Sequence, residues 1–299
     1  MKWQSIQCLR ALAVIGVLLF HFGDIKIGAA GVDLFFVISG FIMASVVPGK
    51  APAHFLADRA WRILPLYYAA VALELVLIQP PFDLQRLVIT ATLWPIGLPY
   101  LHQSWTLSYE LLFYLGCAVF LIFGRATLAF VPLALACGAL IADPLADFIG
   151  SPLILEFLGG VLLARLPRRH GAVALLAAPL VLALLWSLGF DRVLSFGVPA
   201  LLLVHGALTL EHRFDLRRLG PVLLLGDASY SIYLVHLTIG RLFPDDMPWT
   251  TAASAALLGG LLFHMIVERP LMQCLREIRR LSNNLGEARL YQRGRERQG

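Results

Sequence analysis

The sequence predicts an all-α polytopic membrane protein of about ten transmembrane helices, with its N- and C-termini cytosolic. Three observations carry that reading. Of 299 residues, 59% are hydrophobic and only 14% charged, where soluble domains have roughly 25% charged; the mean hydropathy is +0.78. Apolar runs close to the ~20 residues that cross a bilayer recur along the whole chain. Lysine and arginine then fall on alternate connections, as they do when one side of a membrane collects them.

The first run, Leu9–Phe22, is followed at once by others and shows no small-residue cleavage site, so it reads as a retained helix and not a removed signal. Gly31–Val47 and Ile63–Ile78 come next. The longest connection, 79–104, holds Pro80, Pro81, Pro95 and Pro99, and its stretch Leu84–Leu98 is apolar enough for a re-entrant or interfacial helix. A structured loop of that kind suits a binding site better than a plain linker. Trp105–Phe123, Ala126–Ala142, Phe148–Ala164, Ala172–Leu188, Val193–Leu210, Ala228–Phe243 and Thr250–Val267 complete the ten spans.

With the N-terminus inside, 20 of the 24 lysines and arginines lie on inner connections, inner span ends or the tail. Lys26, Arg86, Arg192 and Arg241 remain outside, with Asp143, Asp147, Asp191, Asp245 and Asp246. The net charge of +5 thus reflects topology and calls for no nucleic-acid partner. Residues 1–271 form one membrane domain and 272–299 a basic cytosolic tail suited to anionic lipid. Cys8, Cys117, Cys137 and Cys274 have no metal-ligand or disulfide spacing, and no metal is expected.

Charge inside hydrocarbon is costly and marks a pathway, a relay or a reaction. Arg10 and His21 stand eleven residues apart in the first span. That is about three helical turns, so they share a face with roughly 16 Å between them. His21 can exchange a proton near neutral pH, although a lone membrane histidine also serves as a helix–helix hydrogen bond. Asp33, entering from the same side, is expected at similar depth, where a carboxylate would orient the imidazole and raise its basicity. Arg59 and Arg62 share a face of an inner helix and can grip phosphates as two forks, or simply anchor the inner side. Glu110 lies about one and a half turns into its span, with His102 just outside it; Trp105 and Tyr109 alone would be ordinary interfacial belt residues, and with Glu110 among them they could also form a platform for a sugar. Glu156, His205, His236, His264 and Glu268 read as structural rather than catalytic, with Glu156 and His236 the closest to a role.

Taken together, Leu9-Arg10-Ala-Leu-Ala with His21, Gly31-Val-Asp-Leu-Phe-Phe-Val-Ile-Ser-Gly-Phe, Arg59-x-x-Arg62, Trp105-Thr-Leu-Ser-Tyr-Glu110 and Leu225-Gly-Asp-Ala-Ser-Tyr-Ser-Ile-Tyr-Leu-Val-His236 resemble the acyltransferase-3 family of integral-membrane O-acyltransferases. The start Ser5-Ile-Gln-Cys-Leu-Arg and the stretch 31–43 are similar to its ExoZ-type exopolysaccharide acetyltransferases. The resemblance implies ten spans and transfer of an acyl group, by default acetyl, from cytosolic acyl-CoA to a hydroxyl of a cell-surface or exported polysaccharide or its lipid-linked precursor. It implies a bacterial inner-membrane location, with Arg10, Arg59 and Arg62 on the CoA phosphates. His21 would be the base, oriented by Asp33 or Glu110, or a transient acyl carrier. Many relatives have a second acid and a glutamine after the position of Glu110, where this chain has Leu111 and Leu112. A two-carboxylate scheme is therefore not expected, and neither is the hydrolase-like outer domain of some longer members. The alternative class is a proton-coupled carrier or lipid-linked glycan flippase. The same buried charges would suit it, but the internal repeat common in carriers is missing.

Overall fold

The computed structural model describes residues 3–281 except 212, 214 and 245, and the described residues are helical with no strand. The basic tail beyond 281 lies outside them. The ten apolar segments all fold as helix. α1 is Gln4–Gly23, α2 Ala30–Val46, α3 Pro52–Ile78, α4 Leu84–Thr92, α5 Trp105–Phe123 and α6 Phe130–Leu140. α7 is Pro144–Ile149, α8 Ile154–Leu163, α9 Gly171–Ser187, α10 Val198–Leu210, α11 Gly220–Gly240 and α12 Trp249–Phe263. Among the described residues, eight helical segments are long and apolar enough to cross a membrane. One of them, His102–Leu140, covers two of the expected spans, and α9 is a shorter apolar helix besides.

Two helices begin earlier than their apolar runs. α1 starts at Gln4 because Glu211, just past α10, accepts the backbone N–H groups of Gln4 and Ser5, both at 2.8 Å. A carboxylate there satisfies orphan donors and complements the helix dipole. α3 starts at Pro52, a residue suited to a first helical turn, and its opening turns are amphipathic. The expected span over 148–164 is broken between α7 and α8 around Ser151 and Pro152. Proline cannot donate to the ladder there.

α4 takes up the stretch expected to be re-entrant or interfacial. Asp83 caps it by accepting from the Arg86 N–H at 3.0 Å, and Leu93 ends it at a positive φ of 54°. The Tyr67 and Tyr68 hydroxyls, from α3, donate to the Thr90 and Ala91 carbonyls at 2.7 Å each. The helix is thereby tied to the bundle, while Phe82, Leu84, Val88 and Trp94 stay exposed on its apolar side.

α1 is the central post, packed against α2, α10, α11 and α12. Without a hydrophobic drive between helices in lipid, close backbone approach at small residues does the work. The clearest case joins α2 and α8: a Cβ at Gly40 would run into the Phe157 carbonyl, and one at Gly160 into the Val37 carbonyl. Beside it, Phe36, Phe157 and Phe113 stack, with centroids 4.5 and 4.6 Å apart. Gly40→Val is therefore expected to cost about 1–3 kcal/mol or more, read as an earlier thermal loss of the monodisperse peak in detergent. A wild-type melting profile would contradict it.

The bundle has two distinct ends. One, where α1 starts, is rich in arginine: Arg168 covers the Trp3 ring at 4.5 Å, and Arg279 meets Asp58. The other, where α1 ends, carries the α1–α2 turn and α4. These ends frame the site.

Candidate active site

At the arginine-rich end a cavity of about 1040 Å³ opens among α1, α2, α3, α5, α11 and the extension of α12. Arg10, Arg59 and Arg62 all line it. The Arg10 Nε donates to Ser229 Oγ at 3.0 Å, with the charges of Arg62, Glu268, Asp227 and Glu110 around it. The Arg59 Nε is buried without a hydrogen-bond partner. Among the described residues, neither Arg59 nor Arg62 is taken by an ion pair. Nearby Asp58 is occupied instead by Lys50 and Arg279.

The cavity wall from α12 holds a group that the sequence reading set aside as structural. His264–Glu268 is a π-helical turn, a form frequent at functional sites. Glu268 accepts from His264 Nδ1 at 2.6 Å and from Ser231 Oγ at 2.7 Å. Arg269 donates to His264 Nε2 at 3.1 Å; an arginine has no acceptor, so Nε2 carries the lone pair and Nδ1 the proton. Glu110 also lines the cavity and accepts from Ser39 Oγ at 3.2 Å and from the Tyr114 hydroxyl. It stands with Arg10, not with His21.

Deeper in, the cavity is bounded by Thr106 and Tyr233, whose hydroxyls are 2.8 Å apart. His236 lies just past Tyr233, with its ring 5.7 Å away. His21 is next, its ring centroid 5.0 Å from that of His236. His21 is exposed and within the electrostatic reach of His102. Three imidazoles thus gather at the end of the bundle opposite the arginines, with His236 wholly buried.

Asp33 departs from expectation. Its carboxylate, fully buried, takes both Nε and Nη2 of Arg192 at 3.1 and 2.9 Å, so it is committed to Arg192 and not to His21. The physical reason is that a buried carboxylate needs a cation with matching geometry, and Arg192 supplies the fork. Burial acts to lower the Arg192 pKa, but the hydrogen bonds and charge of Asp33, with Glu156 beside it, hold it above its ordinary value. Arg192 also lies 5.8 Å over the Trp105 ring. Asp33→Ala strands this cation, at a cost toward the lower end of the 3–5 kcal/mol range for breaking buried pairs, since 38% of the Arg192 side chain is exposed. Thermal unfolding in detergent checks this; an unchanged midpoint would show that the pair contributes nothing.

Trp105 and Tyr109 meet edge to face at 5.9 Å, and Phe148 covers Tyr109 at 4.5 Å. With Pro95, Pro144 and Asp147 they line a groove of about 330 Å³. Asp147 and Phe148 gave no sign of this from sequence, because α7 folds back onto α5 from forty residues away.

Residues 3–269 match the model of the acyltransferase domain family. The chain is 36% identical to the exopolysaccharide production protein ExoZ of Rhizobium meliloti (strain 1021), over 86% of this chain and 95% of that protein. It is 30% identical to BcsY of Komagataeibacter xylinus, whose name describes a membrane-bound transacylase, over 78% of this chain and 72% of that protein. No solved structure matches the chain.

Proposed function

We propose that this chain, which belongs to the acyltransferase family and is a multi-pass membrane acyltransferase, moves an acetyl group from acetyl-CoA to a hydroxyl of an exported polysaccharide or its lipid-linked precursor. It would do so in the bacterial inner membrane, with the arginine-rich end in the cytosol. The observation that carries the reading is the 1040 Å³ cavity, which Arg10, Arg59 and Arg62 line and whose inner wall, at Thr106 and Tyr233, stands next to the His236–His21 pair.

Arg59 and Arg62 hold the CoA phosphates as charge-assisted forks, and Arg10 stands behind them. The pantetheine arm extends along α1 past Glu110, the roughly 16 Å from Arg10 to His21, passing Thr106 and Tyr233. The sugar lies against Trp105 and Tyr109, with His102 at its edge. His21 takes the proton of the acceptor hydroxyl as its oxygen attacks the thioester carbon. The C–S bond then breaks and the thiolate receives that proton. Asp33 holds Arg192 and so shapes the acceptor side, without touching the reacting atoms.

Membrane vesicles given CoA labelled in its acetyl group, together with the acceptor polysaccharide, test the reading. Label is expected in the polymer, with free thiol released in equal amount. Donor consumption without labelled polymer would defeat it.

A further inference from the structure

The buried histidine of α11 has a lone pair with nothing to accept. His236 is 0% exposed, and its Nδ1 lies 2.7 Å from the Tyr233 carbonyl. A carbonyl only accepts, so Nδ1 carries the proton and Nε2 is the acceptor. That Nε2 is buried without a hydrogen-bond partner. A bare buried acceptor is costly and uncommon enough to call for a reason.

Its neighbour supplies one. The His21 ring is 5.0 Å away, centroid to centroid, at a tilt of 49°. Two imidazoles joined by an N–H···N bond of about 2.9 Å have centroids about 5 Å apart. His21 is exposed, which leaves its ring room to turn about its side-chain bonds toward the His236 Nε2. The carboxylates expected to orient His21 are engaged elsewhere: Asp33 with Arg192, and Glu110 with Ser39 and Tyr114.

We propose that His236 is the positioning residue of His21: its Nε2 accepts the N–H of the His21 ring and turns the other ring nitrogen to the acceptor hydroxyl. This rests on the transfer reading above. In the step itself the hydroxyl oxygen bonds to the acyl carbon and the C–S bond breaks. His21 takes the hydroxyl proton and yields it to the departing thiolate, and His236 keeps its own proton throughout. The role is the one a buried carboxylate plays in a catalytic triad, filled here by a neutral acceptor whose tautomer a backbone carbonyl fixes.

Two substitutions separate this from a structural role. His236→Gln sets an amide oxygen near the position of Nε2 and gives up the Tyr233 contact. His236→Asn keeps a donor near Nδ1 and leaves nothing at Nε2. In purified protein, His236→Asn is expected to lower kcat about 100-fold with the acetyl-CoA KM unchanged, while His236→Gln stays within about tenfold of wild type. Combining His236→Asn with His21→Ala should be no slower than His21→Ala alone, since residues acting as a unit are not additive. If the carbonyl contact were what mattered, asparagine would outperform glutamine; that order, or equal rates, overturns the proposal.

A second readout does not depend on transfer. Carbethoxylation of His21 by diethyl pyrocarbonate, followed by mass spectrometry of its peptide, should slow several-fold in His236→Asn and little in His236→Gln. Equal rates in all three proteins overturn the pairing. If wild type transfers no acetyl group, the transfer reading fails, and this modification rate alone decides the pairing.

Discussion

His21→Ala is expected to lower acetyl transfer by about 10²–10⁴-fold, the range that a positioned general base contributes, while leaving protein level and membrane insertion unchanged. The two halves of that prediction have separate causes. His21 sits at the end of α1 and is an exposed residue, outside the hydrophobic core of the bundle. The nearby carboxylates are badly placed to replace it. Glu110 faces the arginine cavity and accepts from Ser39 and Tyr114, and Asp33 is tied to Arg192. Rates measured at saturating acetyl-CoA, with membrane content matched by blot, check it. A variant that keeps more than a third of wild-type activity would remove His21 from the chemistry.

Arg59→Ala combined with Arg62→Ala is expected to raise the acetyl-CoA KM about 100-fold, with kcat at saturating donor and the acceptor KM nearly unchanged. Each charge-assisted hydrogen bond to a phosphate is worth about 1.5–3 kcal/mol, and 1.4 kcal/mol is tenfold in an equilibrium constant. Two lost contacts, less what Arg10 and Arg269 take over from the same cavity wall, give that estimate. Loss of ground-state and transition-state binding alike appears in KM and not in kcat. The unpartnered Arg59 Nε is the observation from which this expectation starts. Steady-state kinetics over donor concentration check it, and an unaltered donor dependence would show that the arginines only anchor the arginine-rich end.

Much of this architecture was legible because its causes are local. Apolar runs and their length foretold the helices, and Trp105–Phe123 coincides with α5. The boundaries slipped where a distant group decides them. α1 begins five residues before Leu9 because Glu211 caps it from the far side of the chain. The spacing of Arg59 and Arg62 on one helical face likewise held, since i, i+3 neighbours need no tertiary information. Pairings did not. Asp33 meets Arg192 across 159 positions of sequence, and Arg192 had read as one of a few basic residues on its side. His236 read as structural, though with Glu156 the closest to a role, because its distinguishing feature, a buried nitrogen with nothing to accept from, exists only once α1 and α11 are packed together.

The most direct test of the central claim is the O-acetyl content of the surface polysaccharide by proton NMR. It compares a strain lacking the protein with the same strain carrying wild type or His21→Ala at matched membrane levels. Acetyl signals restored by wild type and not by the variant are the predicted result. Polymer export that changes while its acetyl content stays constant would contradict the account and put a carrier in its place.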